Sequence, residues 1–114
     1  MTPPLRSNLF ELDNIPEDSE FLETLAKGDG VRVERIVSRG HITPPGEWYD
    51  QDVDEWVVLL QGRATLEWEG GEETELEAGD WLLIAAHRRH RVSATSVEPA
   101  CVWLAVHGAL ATPG

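Results

Sequence analysis

A single cysteine, Cys101, leaves no partner for an internal disulfide and suits a reducing compartment, so a cytoplasmic location is expected. No apolar run approaches the roughly 18 residues that a membrane span needs. The opening Met1-Thr-Pro-Pro-Leu-Arg6 lacks the apolar stretch of a signal peptide. Basic residues are scarce, 9 against 21 acidic ones, for a formal net charge of −12. Such a surface repels phosphate backbones, and nucleic acid is not expected as a partner. A glycine-rich phosphate loop is missing too; Gly28-Asp29-Gly30 reads as a turn. One cysteine also rules out zinc-finger spacing. With no repeat, linker or low-complexity stretch to divide it, the chain reads as one domain over residues 1–114.

What is present is mostly β-type punctuation. Residues 5–12 suggest an opening strand. Pro16 followed by Glu17, Asp18 and Glu20, with Phe21, Leu22 and Leu25 apolar and Lys27-Gly28 at the end, predicts a short N-terminal helix. Val31 to Ile42 reads as a strand that Thr43-Pro44-Pro45-Gly46 breaks. Further strands are expected at 55–61, 63–69, 72–77, 81–85, 90–96 and 100–107, separated by Gly62, Gly70-Gly71 and Ala78-Gly79-Asp80. Beyond Gly108 the tail is expected to fray. Many short strands between glycine turns make an all-β sandwich or barrel.

The candidate site begins with parity. Glu55 shares a strand face with Val57 and Leu59, by the two-residue period of a strand. If those apolar residues face the barrel interior, Glu55 does as well. A buried carboxylate needs a cation, a metal ion or hydrogen bonds, and an arginine partner would serve as well as a metal. His90, where the strand after Trp81–Ala85 begins, can reach the same pocket.

These residues resemble the motifs of the single-domain cupins, small jelly-roll barrels whose first motif runs G-x5-H-x-H-x3-4-E-x6-G. Glu55 through Gly62 reproduces its E-x6-G portion, and counting back puts Tyr49 and Gln51 where two histidines usually stand. The second motif, G-x5-P-x-G-x2-H-x3-N, is matched at Gly79 and His90, with Ala85, His87 and Ala94 replacing proline, glycine and asparagine. The resemblance covers about residues 31–107. It implies a double-stranded β-helix and a metal site built from Gln51, Glu55 and His90. One imidazole, one carboxylate and one amide form a mixed N/O site suited to Zn²⁺, Mn²⁺, Fe²⁺ or Ni²⁺. It also implies a homodimer, for which a strand around Leu9-Phe10 would cover a partner's sheet edge.

Other residues are weaker candidates for the pocket. Tyr49 reads as a packing aromatic whose hydroxyl faces the pocket, His87 as an exposed turn residue, and His41 and His107 as rim or core histidines. Asp50, Asp52 and Asp54 read as a solvated acidic edge. They lack the glycine and closing glutamate of an EF-hand loop. Arg88, Arg89 and Arg91 surround His90 and could orient an anionic substrate, but in so acidic a chain they are expected to neutralise neighbouring carboxylates. Cys101, inside an apolar strand, reads as an inert thiol. Two function classes follow: a metal-dependent enzyme acting on a small polar molecule, or a barrel that binds or senses a small molecule without turnover. A structural barrel holding only water is a third.

Overall fold

In a computed structural model, which describes residues 2–111, eight antiparallel strands form two facing sheets. They are β1 (Phe21–Gly28), β2 (Val31–Ser38), β3 (Asp54–Gln61), β4 (Arg63–Trp68), β5 (Glu73–Glu77), β6 (Trp81–Ile84), β7 (His90–Thr95) and β8 (Cys101–Gly108). One sheet has the order β1-β2-β8-β3-β6 and the other β5-β4-β7. This is the all-β jelly-roll expected from the glycine punctuation, with strand limits within a few residues of those read from the sequence.

The core lies between the sheets. Val57, Leu59, Ile84, Trp103 and Ala105 project from the larger sheet, and Ala64, Leu66, Trp68 and Leu76 meet them from the smaller. The period of two that places Val57 and Leu59 inside places Glu55 inside with them, and it is 8% exposed.

Two expectations fail. Among the described residues there is no helix, and the stretch read as one is strand β1. Its pairing with β2 satisfies backbone groups along the strand, and it sets Glu23 opposite Arg35, whose guanidinium donates to the carboxylate at 2.9 Å. Those ladder contacts outweigh a helix propensity that rests on few apolar residues. Asp29-Gly30 is the two-residue turn of this hairpin, because Gly28 pairs with Val31. The opening strand at 5–12 is also absent. Arg35 instead donates to the carbonyls of Leu9 and Glu11, at 3.1 and 2.8 Å, and holds this segment against the sheet without a ladder. No strand at Leu9-Phe10 is therefore available to cover a partner's edge.

Gly62 turns β3 into β4 with φ +94°, and a Cβ there would stand 2.8 Å from Ser96 Oγ and 2.9 Å from Cys101 Sγ. Gly70 has a similar φ, +111°, with open space around it. Both Gly→Ala changes strain the backbone, but only Gly62→Ala also overpacks the interior. Gly62→Ala should thus be less stable than Gly70→Ala by about 1–3 kcal/mol in urea unfolding. Equal losses would show that crowding at Gly62 has no energetic weight.

Candidate functional site

A cavity of about 170 Å³ opens at one end of the interior. Its floor is set by strand register. Arg32 on β2 pairs with His107 on β8, His107 pairs with Glu55 on β3, and Glu55 pairs with Ile84 on β6. All four residues of this cross-strand row line the cavity. Glu34, two residues along β2, points the same way and lines it too.

His90 enters from the smaller sheet. Its backbone exchanges hydrogen bonds with Tyr49, N–H to O at 2.7 and 3.2 Å, which pins the 39–50 segment over the cavity. The imidazole lies between the Tyr49 ring, stacked at 5.6 Å, and the Trp68 ring at 5.8 Å. His90 Nδ1 donates to the Arg88 carbonyl at 2.8 Å, so Nε2 carries the lone pair. That Nε2 stands 3.9 Å from Glu55 Oε1.

Gln51 sits between Glu55 and His107. Its Nε2–H donates to Glu55 Oε1 at 3.3 Å, and its Oε1 lies 3.1 Å from His107 Nδ1. With Glu55 ionised, the amide presents its NH₂ to the carboxylate, since its oxygen there would meet only lone pairs. The oxygen is then left to accept from His107 Nδ1–H, which puts the His107 lone pair on Nε2. His107 Nε2 is buried without a hydrogen-bond partner and faces Glu34 Oε1 at 3.5 Å and Glu55 Oε2 at 3.9 Å. Gln51 was expected to offer its oxygen to an ion; in the metal-free arrangement that oxygen lies 3.1 Å from His107 Nδ1.

Burial governs the protonation states. It pushes the Glu55 carboxyl up to about 7, against the opposing pull of the Gln51 amide. It holds His90 below the ordinary imidazole range, and it does the same to His107 with the help of the Arg32 charge. Both imidazoles are neutral donors near neutral pH. Burial also raises Tyr49, with the Glu20 carboxylate adding to the effect.

The remaining sequence candidates separate clearly. Gln51, Glu55, His90, His107 and Tyr49 converge on the cavity. His87 does not; it occupies an exposed turn with φ +64°, its Nδ1 2.8 Å from Asp50 Oδ1. His41 staples the loop, its Nδ1 accepting from the Arg39 N–H at 2.9 Å, and lines only a neighbouring hollow. Arg89 and Arg91 pair with Glu69 and Glu67, and Arg88 lies 4.2 Å over the Trp68 ring. Asp54 accepts from the backbone of Ala86 and Leu110, which lowers its carboxyl. Cys101 is buried, its thiol directed at the Arg63 carbonyl.

Glu20, Arg32 and Glu34 were missed by sequence reasoning, although they line the cavity. The signal was present in β2. Arg32, Glu34 and Ile36 alternate with Val31, Val33 and Val37, and the apolar set drew attention away from the charged one.

Ionisation of Glu55 opposes folding, because its folded value of about 7 exceeds the reference of 4.5. In metal-free protein the cost is absent below pH 4.5, grows as pH rises and levels off above pH 7. Its size is about 3 kcal/mol. The stability of Glu55→Gln relative to wild type should rise by that amount between pH 4.5 and pH 8, read from urea unfolding across the range. A difference independent of pH would contradict the buried, ion-poor setting of this carboxyl.

The family model described as the cupin domain, Cupin_2, matches residues 36–107. A Ralstonia eutropha JMP134 structure with the provisional designation of mannose-6-phosphate isomerase is 41% identical, with a TM-score of 0.84 over 94% of this chain and 100% of that one. A cupin superfamily protein from Desulfitobacterium hafniense DCB-2 is 20% identical, with a TM-score of 0.75 over 95% and 94% of the two chains. The polyketide cyclase RemF from Streptomyces resistomycificus is 16% identical, with a TM-score of 0.71 over 97% and 83%. The last two share the fold. No curated protein sequence matches this chain.

Proposed function

The chain belongs to the cupin-domain family, and from that premise we propose that its cavity holds a divalent transition-metal ion, of the Zn²⁺, Mn²⁺, Fe²⁺ or Ni²⁺ class, and acts on a small polar molecule. The observation that carries this reading is the buried His107 Nε2, a lone pair without a donor that faces the Glu55 carboxylate. His90 Nε2 faces the same carboxylate from the other sheet. Two neutral imidazoles and one carboxylate suit such an ion, and the cavity leaves room for further ligands.

Spacing bears on the fit. Ligand atoms on a tetrahedral ion with bonds of about 2.0–2.1 Å stand roughly 3.3 Å apart. The two imidazole–carboxylate gaps are 3.9 Å. Among the described residues, no group of three or more His, Cys, Asp or Glu side chains is gathered as a ready metal cluster. Each gap exceeds that spacing by about half an ångström, and the two imidazoles face different oxygens of Glu55, His90 toward Oε1 and His107 toward Oε2, so an ion would have to draw the three side chains together. In this reading Gln51 orients His107 and Glu55 rather than ligating, and the Arg88 carbonyl orients His90. A bound ion would supply Lewis acidity and restore the Glu55 anion that burial disfavours. Glu34, beside His107, would be the carboxylate free to accept a proton from a bound molecule.

The alternative is a barrel that binds without turnover, favoured by the apolar walls of Ile36, Leu66, Val92 and Trp103. A homodimer belongs to the same proposal. The unpaired edges β1 and β6 carry exposed Leu22, Leu25 and Trp81, which a second copy would cover. The sugar phosphate named for the Ralstonia relative is not carried over, because the cavity lacks the paired cations that hold a phosphate.

Elemental analysis of untagged protein should find a stoichiometric transition metal. His90→Ala, His107→Ala and Glu55→Gln should each lower its affinity by about tenfold or more, and acid should release it as the imidazoles protonate. Full occupancy with unchanged affinity in all of these variants would overturn the proposed ligand set.

A further inference from the structure

The hydrogen-bonding character of the cavity points to a ligand class. In metal-free protein its lining presents five acceptors with capacity to spare, the carboxylates of Glu20, Glu34 and Glu55 and the Nε2 lone pairs of His90 and His107; a metal on the last three would leave Glu20 and Glu34. Glu20 accepts one bond from Ser38 Oγ at 2.9 Å, and Glu55 one from Gln51. Donors are fewer than acceptors. Gln51 gives its NH₂ to Glu55, and Arg32, the one cationic side chain in the lining, has its Nε 3.7 Å from Glu34 Oε2. The buried indole N–H of Trp103 has no acceptor, and Tyr49 carries the remaining hydroxyl.

Charge points the same way. With all three carboxyls ionised and the histidines neutral, three carboxylates against one guanidinium leave a formal −2, which a divalent ion would cancel without making the cavity cationic. A phosphate dianion would meet acceptors on nearly every side, with no helix N-terminus and no second cation to hold it. The rest of the lining, including Leu22, Ile36, Val57 and Leu66, is apolar. His107 supplies an independent sign that the site awaits a ligand, because its side chain is 6% exposed and its Nε2 unpaired.

We propose that this cavity takes a small amine with an apolar body and rejects phosphorylated sugars. The ammonium would donate to Glu20 and Glu34, the apolar body would lie against Ile36 and Leu66, and the inner end would face Glu55 and the two histidines. The inference rests on the reading of this cavity as the ligand site, and it stands apart from whether that site holds metal.

The test is titration calorimetry on untagged protein, both zinc-loaded and chelator-treated, with metal content measured on the same samples. The probes are cyclohexylamine and 3-methylbutylamine, with cyclohexanol as the uncharged counterpart and mannose 6-phosphate as the anionic sugar. Both amines should saturate, cyclohexanol should bind about tenfold or more weakly, and mannose 6-phosphate should give no saturable heat. Glu20→Gln and Glu34→Gln, checked for a native thermal transition, should each weaken the amines by about tenfold. The comparison of amine with alcohol needs no variant and decides the matter if either substitution unfolds the chain. Absence of saturable amine binding, tighter binding of mannose 6-phosphate, or amine affinity unchanged in both variants would overturn the inference. Amine binding to protein that takes up no metal would instead refute the metal reading and leave this one standing.

Discussion

Much of this molecule is organised around one uncomfortable carboxylate. Glu55 lies where β3 meets β8, almost fully buried and without a salt-bridge partner among the arginines. Isolated in a low-dielectric interior, such a group would simply take up a proton. Its neighbours leave that outcome open. Gln51 donates to it, two imidazoles face it, and neither imidazole completes the hydrogen bond. The arrangement is costly for a free protein and well suited to one that receives a cation.

The sheet makes the arrangement obligatory. Register fixes Glu55 opposite His107, and a slip of one residue on either strand would turn one of them to the other face. The glutamine at position 51 then acquires a reason. A histidine there would offer a lone pair of its own, whereas the amide faces two ways, giving hydrogen to Glu55 and taking it from His107. It determines which nitrogen of His107 is bare. In the proposed metal site, a donor absent from the usual motif position would thus be replaced by one on β8, more than fifty residues further along the chain but one strand away in the sheet.

That exchange explains what was legible in the sequence. The barrel was, because glycine turns and alternating apolar residues repeat from Val31 to His107 and each local preference agrees with the global fold. Glu55 and His90 were, because parity and motif spacing are local properties. His107 was visible only as one histidine among several, since its meaning depends on a strand pairing that no local pattern encodes. Glu20 was missed for the same reason, whereas Glu34 was legible in the alternation along β2 and was passed over for its apolar neighbours. The N-terminal region misled because proline, acids and a terminal lysine-glycine mimic a helix, while the Arg35 contacts that hold it flat come from another strand.

The acidic character of the chain takes on a second meaning at the cavity. Over the surface, a net charge of −12 is a matter of solubility and of which partners are repelled. Inside, the same bias places Glu20 and Glu34 beside the site while the arginines around the second-motif histidine are engaged away from the cavity, Arg89 and Arg91 with carboxylates and Arg88 with the face of Trp68. A fold that has three arginines around its second-motif histidine and turns none of them into the cavity is poorly built to grip an anion there. Similarity at 41% identity carries the barrel and its frame across to this chain. What the frame recognises is decided by the side chains that line it, and here acceptors outnumber donors.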